Sequence, residues 1–252
     1  MKVLITGANS GLGKWLSKQF SECDEFVRGS NVKNFPKEKN WAPDGSGYAY
    51  KPYDLIIHCA GSVQHSNWSN VGLDLFKDNV FLTRDLISIP HKKFVYISSI
   101  DEAKDSPYGV TKRLSEIIVK ELCDEYLILR PSGLLGKEMK KNTFQKIISG
   151  DDVAVTKNTI MNYILYEDIL DAVNANQNGT KVLRSNGDIT IEEVVNIFGK
   201  KIDFGDIHYE VEYVKTDINT NKTSEDNIKI YKEKYVDWIK ESDIESDRRN
   251  RW

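Results

Sequence analysis

Tyr108 and Lys112 stand four residues apart, and Ser99 precedes the tyrosine by nine. On a helix, i, i+4 spacing puts a phenol and an ammonium on one face. The lysine charge would lower the phenol from its ordinary value of about 10 and ready it to trade a proton near neutral pH. A serine hydroxyl close by would hydrogen-bond the same substrate oxygen and orient it. One Tyr-x3-Lys is about what chance supplies in a chain with twelve tyrosines, so the triplet gains its weight from where it stands. The bland alternative is a solvated helix start with an exposed Tyr and Lys.

The surrounding elements would place that triplet. Lys2–Thr6 reads as a short buried strand, rich in β-branched residues and closed by glycine. Gly7-Ala8-Asn9-Ser10-Gly11-Leu12-Gly13 follows, then an amphipathic stretch with Leu12, Trp15, Leu16 and Phe20 on one face. Strand, glycine-rich turn and helix, in that order, describe a dinucleotide site. Gly7 permits the tight turn, Gly11 lets the backbone approach a pyrophosphate, and Gly13 lets helix pack on strand. Asn9, Ser10 and Leu12 complete the turn, where free helical N–H groups would face the phosphates. A plain glycine-rich turn between core elements is the competing reading. Tyr53–Gly61 is another buried strand whose end, Ala60-Gly61, is small enough for a nicotinamide ribose to lie against the backbone. Lys93–Ser99 is a third strand, ending in hydroxyls. The helix that Tyr108 opens is expected to turn Val110, Leu114, Ile117, Ile118 and Leu122 inward. Further on, Asp168 reads as an N-terminal helix carboxylate. Thr190-Ile191-Glu192-Glu193 reads as a capping box that opens a short helix to Phe198.

Taken together, these segments resemble the short-chain dehydrogenase/reductase family in its extended, NAD-dependent epimerase/dehydratase branch. The likeness rests on Gly7-x3-Gly11-x-Gly13, Asn79 ahead of the catalytic strand, and Ser99 with Tyr108-x3-Lys112. Arg130-Pro131-x4-Gly136 and the aromatic run Asn162–Ile169 extend it, so that it reaches from Met1 to about Gly199. The resemblance implies an α/β fold, a Rossmann-type doubly wound parallel sheet with a small C-terminal substrate-binding cap. Residues 1–183 would form the NAD(P)-binding domain, with 131–157 contributing to the cap, and 184–252 the rest of the cap and a polar tail. It further implies a nucleotide-activated sugar as substrate and NADP or NAD as cofactor. Tyr108 would be the acid/base, Lys112 would tune it and hold the nicotinamide ribose, and Ser99 would orient the substrate oxygen. Gly7, Asn9, Ser10, Gly11, Leu12, Gly13, Arg28, Ala60, Gly61, Tyr108, Lys112 and Pro131 make up the expected cofactor set.

The chain is compressed relative to that branch. Between Val27 and Tyr53 there is no strand–helix–strand, the stretch from Lys33 to Gly47 being polar and marked by Pro and Gly. The interval from Ser99 to Tyr108 is also short. This compression resembles the dTDP-4-dehydrorhamnose reductases more than the sugar epimerases. After the second strand, Glu25–Val27, the chain gives Arg28 where an acid would hold a ribose 2′-OH, which favours NADP over NAD. An arginine ending a strand is also often just solvent-facing. Asp101 lies two residues past Ser99, the spacing of the acid in sugar-nucleotide dehydratases, or is simply a solvated loop residue. His65, after Ala60-Gly61, is placed to reach substrate. These residues leave a 4-keto sugar reductase as the leading expectation. A 4-epimerase, a 4,6-dehydratase and a non-catalytic NAD(P)-sensing module are the rivals.

Composition sets the outer bounds. The 252 residues are 40% apolar and 29% charged, with a formal net charge of −3. That balance offers no electrostatic footprint for nucleic acid or an anionic membrane. No apolar run approaches the roughly 18 residues of a membrane span. Three scattered cysteines make no disulfide framework, and the four histidines lack metal-ligand spacing. The chain is therefore expected to be cytoplasmic and metal-free. Through the family likeness it is expected to form a homodimer by the helices after Asn79 and around Tyr108–Cys123.

Overall fold

A computed structural model describes residues 1–27, 30, 37–38, 49–50, 52–62, 73–139, 141–211 and 215–235. The chain divides into two compact units: Met1–Pro131 with Leu170–Val182, and Ser132–Ile169 with Leu183–Trp252.

The first unit is built on a parallel sheet. Its strands are β1 (Val3–Thr6), β2 (Cys23–Phe26), β3 (Tyr53–His58), β4 (His91–Ile97) and β5 (Tyr126–Pro131). They lie in the order β2-β1-β3-β4-β5, each neighbouring pair parallel, and β6 (Gly179–Arg184) follows β5. Strands covered on both faces must be apolar throughout. Accordingly Val3, Leu4 and Ile5, Ile56 and Ile57, Phe94 and Val95, and Leu127 to Leu129 are all fully buried. Strand order reverses between β1 and β3, and the carboxyl ends of strands flanking such a reversal are where open α/β sheets bind ligands. A short seventh strand, Ile218–Asn219, runs parallel to the end of β6, and the doubly wound order matches the expected Rossmann-type fold. Between β2 and β3, the short pair Lys37–Glu38 and Ala49–Tyr50 lies outside this sheet.

Helix α1 (Gly11–Ser17) follows β1 and buries Leu12 and Leu16, while Trp15 and Phe20 are half-buried. Leu73–Phe76 and Leu82–Ile87 (α2 and α3) are joined by a π-helical turn, Lys77–Phe81. Such turns interrupt the regular ladder and recur at functional sites.

Helix α4 (Pro107–Leu122) corrects one expectation. Leu114, Ile117 and Leu122 are exposed, at 38%, 54% and 59%, rather than turned inward, and Val110 and Ile118 are only half-buried. The buried face carries Tyr108, Thr111, Lys112, Ser115, Glu116 and Val119 instead. Both stripes repeat with helical period, so periodicity alone could not choose between them. The polar stripe wins because hydrogen-bonding and ionic partners await every one of its polar members, as shown below.

In the second unit, Phe144 packs against Tyr163, Phe198 and Tyr231, with ring centroids 5.2, 5.7 and 5.4 Å away. The expected capping box at Thr190 and Glu193 opens the helix Ile191–Phe198. The spacing of Ile228, Tyr231, Tyr235, Trp238 and Ile239 over Ser224–Lys240 predicts a helix. Residues 224–235 are helical and bury Ile228 and Tyr231, and residues 236–240 lie outside the described set. Asp168 stands in the first turn of Tyr166–Asn174, accepts from the Leu165 N–H at 2.8 Å and pairs with Lys222 at 2.7 Å. The alternating run from Tyr209 predicts a strand, but the strand is Phe204–Ile207, paired with Val153–Val155. Tyr209 to Val211 make only a single bridge to Ile160, and residues 212–214 lie outside the described set. A partner edge, not local pattern, decides which segment pairs. Among the described residues, no helix is long and apolar enough to cross a membrane.

Candidate active site

Ser106 caps α4 by accepting from the Gly109 N–H at 3.1 Å, and Pro107 fills the first helical position. That start places Tyr108 and Lys112 one turn apart on the buried face, at 8% and 5% exposure. The Lys112 ammonium donates to the Ile97 carbonyl at 2.9 Å, at the end of β4. It also sits 4.8 Å from the Tyr96 ring centroid and 5.7 Å from that of Tyr108. Ser99 follows β4 in extended conformation; its Oγ accepts from the Asp101 N–H at 3.1 Å and hydrogen-bonds the Tyr108 phenol. The three residues of the expected triplet therefore converge at the carboxyl end of β4.

The electrostatics differ from expectation in one respect. Burial pushes the Tyr108 phenol above its ordinary value, Ser99 pulls it down through the hydrogen bond, and the Asp101 charge pushes it up again. The lowering expected from Lys112 is not found: the phenol is raised, and burial is the largest cause. Asp101 pairs with Lys104 at 2.7 Å.

The segment that carries Ser99 is clamped. Arg113 donates to the carbonyls of Glu102 and Lys104, the latter at 3.0 Å. Arg130 reaches Glu102 at 2.8 Å and makes a two-pronged contact with Glu116, at 2.9 and 2.5 Å. Glu116, 1% exposed, also accepts from the Ser98 hydroxyl at 2.7 Å. In the sequence Arg130 reads only as part of a motif, and nothing local marks Glu116 as its partner. The available signal for a role of Glu116 is only its place four residues beyond a buried lysine, on the same face. Gly109 completes the clamp: a Cβ there would stand 2.4 Å from the Lys104 carbonyl oxygen and 2.7 Å from that of Asp101. Gly109→Ala is thus expected to displace Ser99 from Tyr108 and reduce turnover at least about tenfold, the usual scale for small misplacements of catalytic groups. Steady-state rates of the purified variant would check this, and wild-type rates would show that the loop is not held by α4.

The glycine-rich turn joins the same end of the sheet. Gly7 and Gly11 adopt φ of 75° and 56°, the left-handed region that favours glycine. A Cβ on Gly13 would lie 2.5 Å from the Gly7 carbonyl oxygen, so only glycine lets α1 pack this close to β1. Asn9 and Ser10 are exposed; Ser10 takes the N-cap position, yet its hydroxyl accepts no helical N–H. Those N–H groups suit phosphate oxygens. Beyond β3, a Cβ on Gly61 would come within 3.1 Å of Asn79 Oδ1 and 3.7 Å of the Lys112 ammonium. Ala60 adjoins it, while Pro131 closes β5 and is buried. A nicotinamide dinucleotide fits these residues: glycines where phosphates need close backbone, and a bare Cα facing the ammonium where a ribose would lie. Arg28 and His65 lie outside the described residues. Asn79 is the residue that ties the parts together. Its amide exchanges two hydrogen bonds with the Ser62 backbone, at 2.7 and 3.1 Å, and donates to Thr111 at 2.9 Å. Among the described residues, no group of three or more His, Cys, Asp or Glu could hold a metal ion.

A family model described as the NAD dependent epimerase/dehydratase family matches residues 3–173. The structure is similar to dTDP-4-dehydrorhamnose reductase from Bacillus anthracis str. Ames in complex with NADP. That pair is 19% identical, covers 92% of this chain and 98% of that one, and has a TM-score of 0.66. It is similar also to a dTDP-4-dehydrorhamnose reductase from Clostridium acetobutylicum ATCC 824, at 20% identity, 95% and 100% coverage and a TM-score of 0.68. UDP-N-acetylglucosamine 4-epimerase from Bacillus cereus gives 19%, 92% and 95%, and 0.63. At such identities the likeness establishes the fold. No curated protein sequence matches the chain.

Proposed function

Because the chain belongs to the NAD dependent epimerase/dehydratase family, we propose that it reduces a 4-keto group of a nucleotide-activated sugar with NADPH. Bound NADPH would supply the hydride. The chain's own residues do the rest. The turn Gly7–Gly13 holds the pyrophosphate, and Ala60-Gly61 and Lys112 hold the nicotinamide ribose. Ser99 orients the substrate oxygen, and Tyr108 gives it a proton. Arg28 would meet a 2′-phosphate, His65 and Asp101 would line the substrate, and Pro131 would border the nicotinamide. Residues 131–157 and 184–252 would carry the sugar-nucleotide contacts. A cytoplasmic location belongs to the same proposal.

One observation carries the choice of reduction. An ordinary phenol is already protonated at neutral pH, and burial raises that of Tyr108 further. This makes proton withdrawal harder and leaves donation as the favoured first step. A reductase needs the protonated form first, since its tyrosine must donate as the carbonyl becomes an alkoxide, whereas an epimerase must first withdraw a proton. The dehydratase reading asks for a free acid at Asp101, which is paired with Lys104. The test is turnover of 4-keto nucleotide sugars with NADPH and NADH, followed across pH. With the working form protonated and the phenol raised, the rate should hold from about pH 6 to 9 and fall only above the ordinary phenol value of about 10. Loss of activity between about pH 7 and 9 would mark a lowered phenol instead. Absence of any turnover would favour a cofactor-sensing module.

Homodimerisation belongs to the proposal as well. Phe81 is 47% exposed at the end of the π-helical turn, next to α4 with its exposed Leu114, Ile117 and Leu122. Covering such side chains gains about 1.5–3 kcal/mol each, and a two-fold axis covers each set with its own copy. Sedimentation should show a dimer at micromolar concentration that Ile117→Lys dissociates. A wild type that stays monomeric would remove this part of the proposal.

A further inference from the structure

We propose that His58 is a positioning residue whose neutral imidazole, protonated on Nε2, closes a one-directional hydrogen-bond chain from the Ala60 amide to the Asn79 carbonyl. The proposal rests on the cofactor reading above and extends it to a residue outside the triplet.

The direction of the chain follows from its two ends. The Ala60 N–H can only donate, and it does so to Thr6 Oγ1 at 3.1 Å. Thr6 Oγ1 lies 2.7 Å from His58 Nδ1. At the other end the Asn79 carbonyl can only accept, and Thr83 Oγ1 donates to it at 2.5 Å. The single Thr83 proton is thereby used, so Thr83 Oγ1 must accept from His58 Nε2, 3.0 Å away. Nε2 therefore carries the proton, Nδ1 is left with a lone pair, and Thr6 donates to it. A neutral imidazole, with one donor and one acceptor, is the group such a chain needs at its centre. An imidazolium would force Thr6 to accept twice and leave its own proton without a partner.

The surroundings enforce the neutral form. Thr6, His58 and Thr83 are fully buried. The ring sits against Phe94 and Tyr96, with centroids 6.1 and 5.4 Å away. Burial, then the Lys112 charge, lowers the imidazole to about 3. The direction of the chain is thus fixed through neutral pH.

What the chain positions is visible at its ends. Thr6 immediately precedes Gly7, and Ala60 precedes Gly61, so one end holds the two backbone strips that flank the proposed cofactor path. The Asn79 carbonyl at the other end also accepts from Ser115 at 2.9 Å, while the Asn79 side chain holds Ser62 and Thr111. Ser115 and Thr111 belong to α4, which bears Tyr108 and Lys112. His58 therefore couples the glycine-rich turn to the proposed catalytic helix through the interior.

Nitrogen NMR of the labelled imidazole in the cofactor-free protein should show a neutral ring protonated on Nε2 from about pH 5 to 8. Thr6→Val and Thr83→Val cut the chain at either side without changing side-chain size. Each should weaken NADPH binding by about five- to tenfold, the effect of one uncompensated hydrogen bond. The double variant should be little worse than the weaker single one, because a chain already cut cannot be cut again. An Nδ1-protonated ring, or one that titrates near its ordinary value of about 6.5, would overturn the proposal. So would additive effects, or a lowered melting temperature with unchanged NADPH affinity. If the wild type binds neither NADPH nor NADH, the cofactor reading itself fails. The positioning role falls with it, while the imidazole spectrum still reports whether the chain exists.

Discussion

Lys112→Met is expected to weaken NADPH binding by about ten- to a hundredfold and to lower turnover at saturating cofactor by a further factor of about 10². Methionine keeps an unbranched side chain one atom shorter and removes the charge and its donors. The ammonium faces the bare Cα of Gly61, 3.7 Å from where a Cβ would stand, and a ribose there would take hydrogen bonds from it. Charge-assisted bonds of this kind are worth about 1.5–3 kcal/mol each, which sets the expected loss of affinity. The second loss arises at the phenol, since with Lys112 gone the developing phenolate loses the nearby positive charge. The substitution also orphans the Ile97 carbonyl, which accepts from Lys112 at 2.9 Å, so the melting temperature should fall as well. Fluorescence titration with NADPH and steady-state kinetics separate the two effects. Unchanged affinity would mean that the ammonium serves only the Ile97 carbonyl and α4 packing.

Much of this arrangement is legible before folding, for identifiable reasons. Strand–turn–helix at the N-terminus is readable because a parallel strand must be apolar on both faces and because glycine alone tolerates the contacts at Gly7 and Gly13. The box at Thr190 is readable because its two hydrogen bonds are local, spanning three residues. The direction in which α4 faces is not readable locally. Its polar stripe goes inward only because Asn79, Ser98 and Arg130, distant in sequence, supply the partners. The same distance hides Glu116, and it hides the role of His58, whose partners Thr6 and Thr83 stand 52 and 25 residues away. The Tyr108 phenol misleads for a related reason: spacing reports the lysine beside it but not the burial that raises the phenol. The strand at Phe204–Ile207 is missed because its partner edge, not its own alternation, defines it. The match over residues 3–173 supports the family likeness that these motifs suggest.

Tyr108→Phe should have the largest effect on catalysis and almost none elsewhere. The ring keeps its packing, and only the hydroxyl that hydrogen-bonds Ser99 is removed. A positioned proton donor contributes a factor of about 10² to 10⁴, and the phenylalanine variant should lose that much in kcat. Since Lys112 still donates to the Ile97 carbonyl and still faces Gly61, NADPH affinity should stay within about a factor of two. That pairing of a large loss in rate with intact binding separates a proton donor from a residue that merely supports the fold. The decisive measurement is the rate of NADPH consumption with a reactive 4-keto nucleotide sugar, wild type against Tyr108→Phe, both saturated with cofactor. A wild type that turns over and a variant slower by about 10² or more is the predicted result; equal rates in the two proteins would contradict this active site.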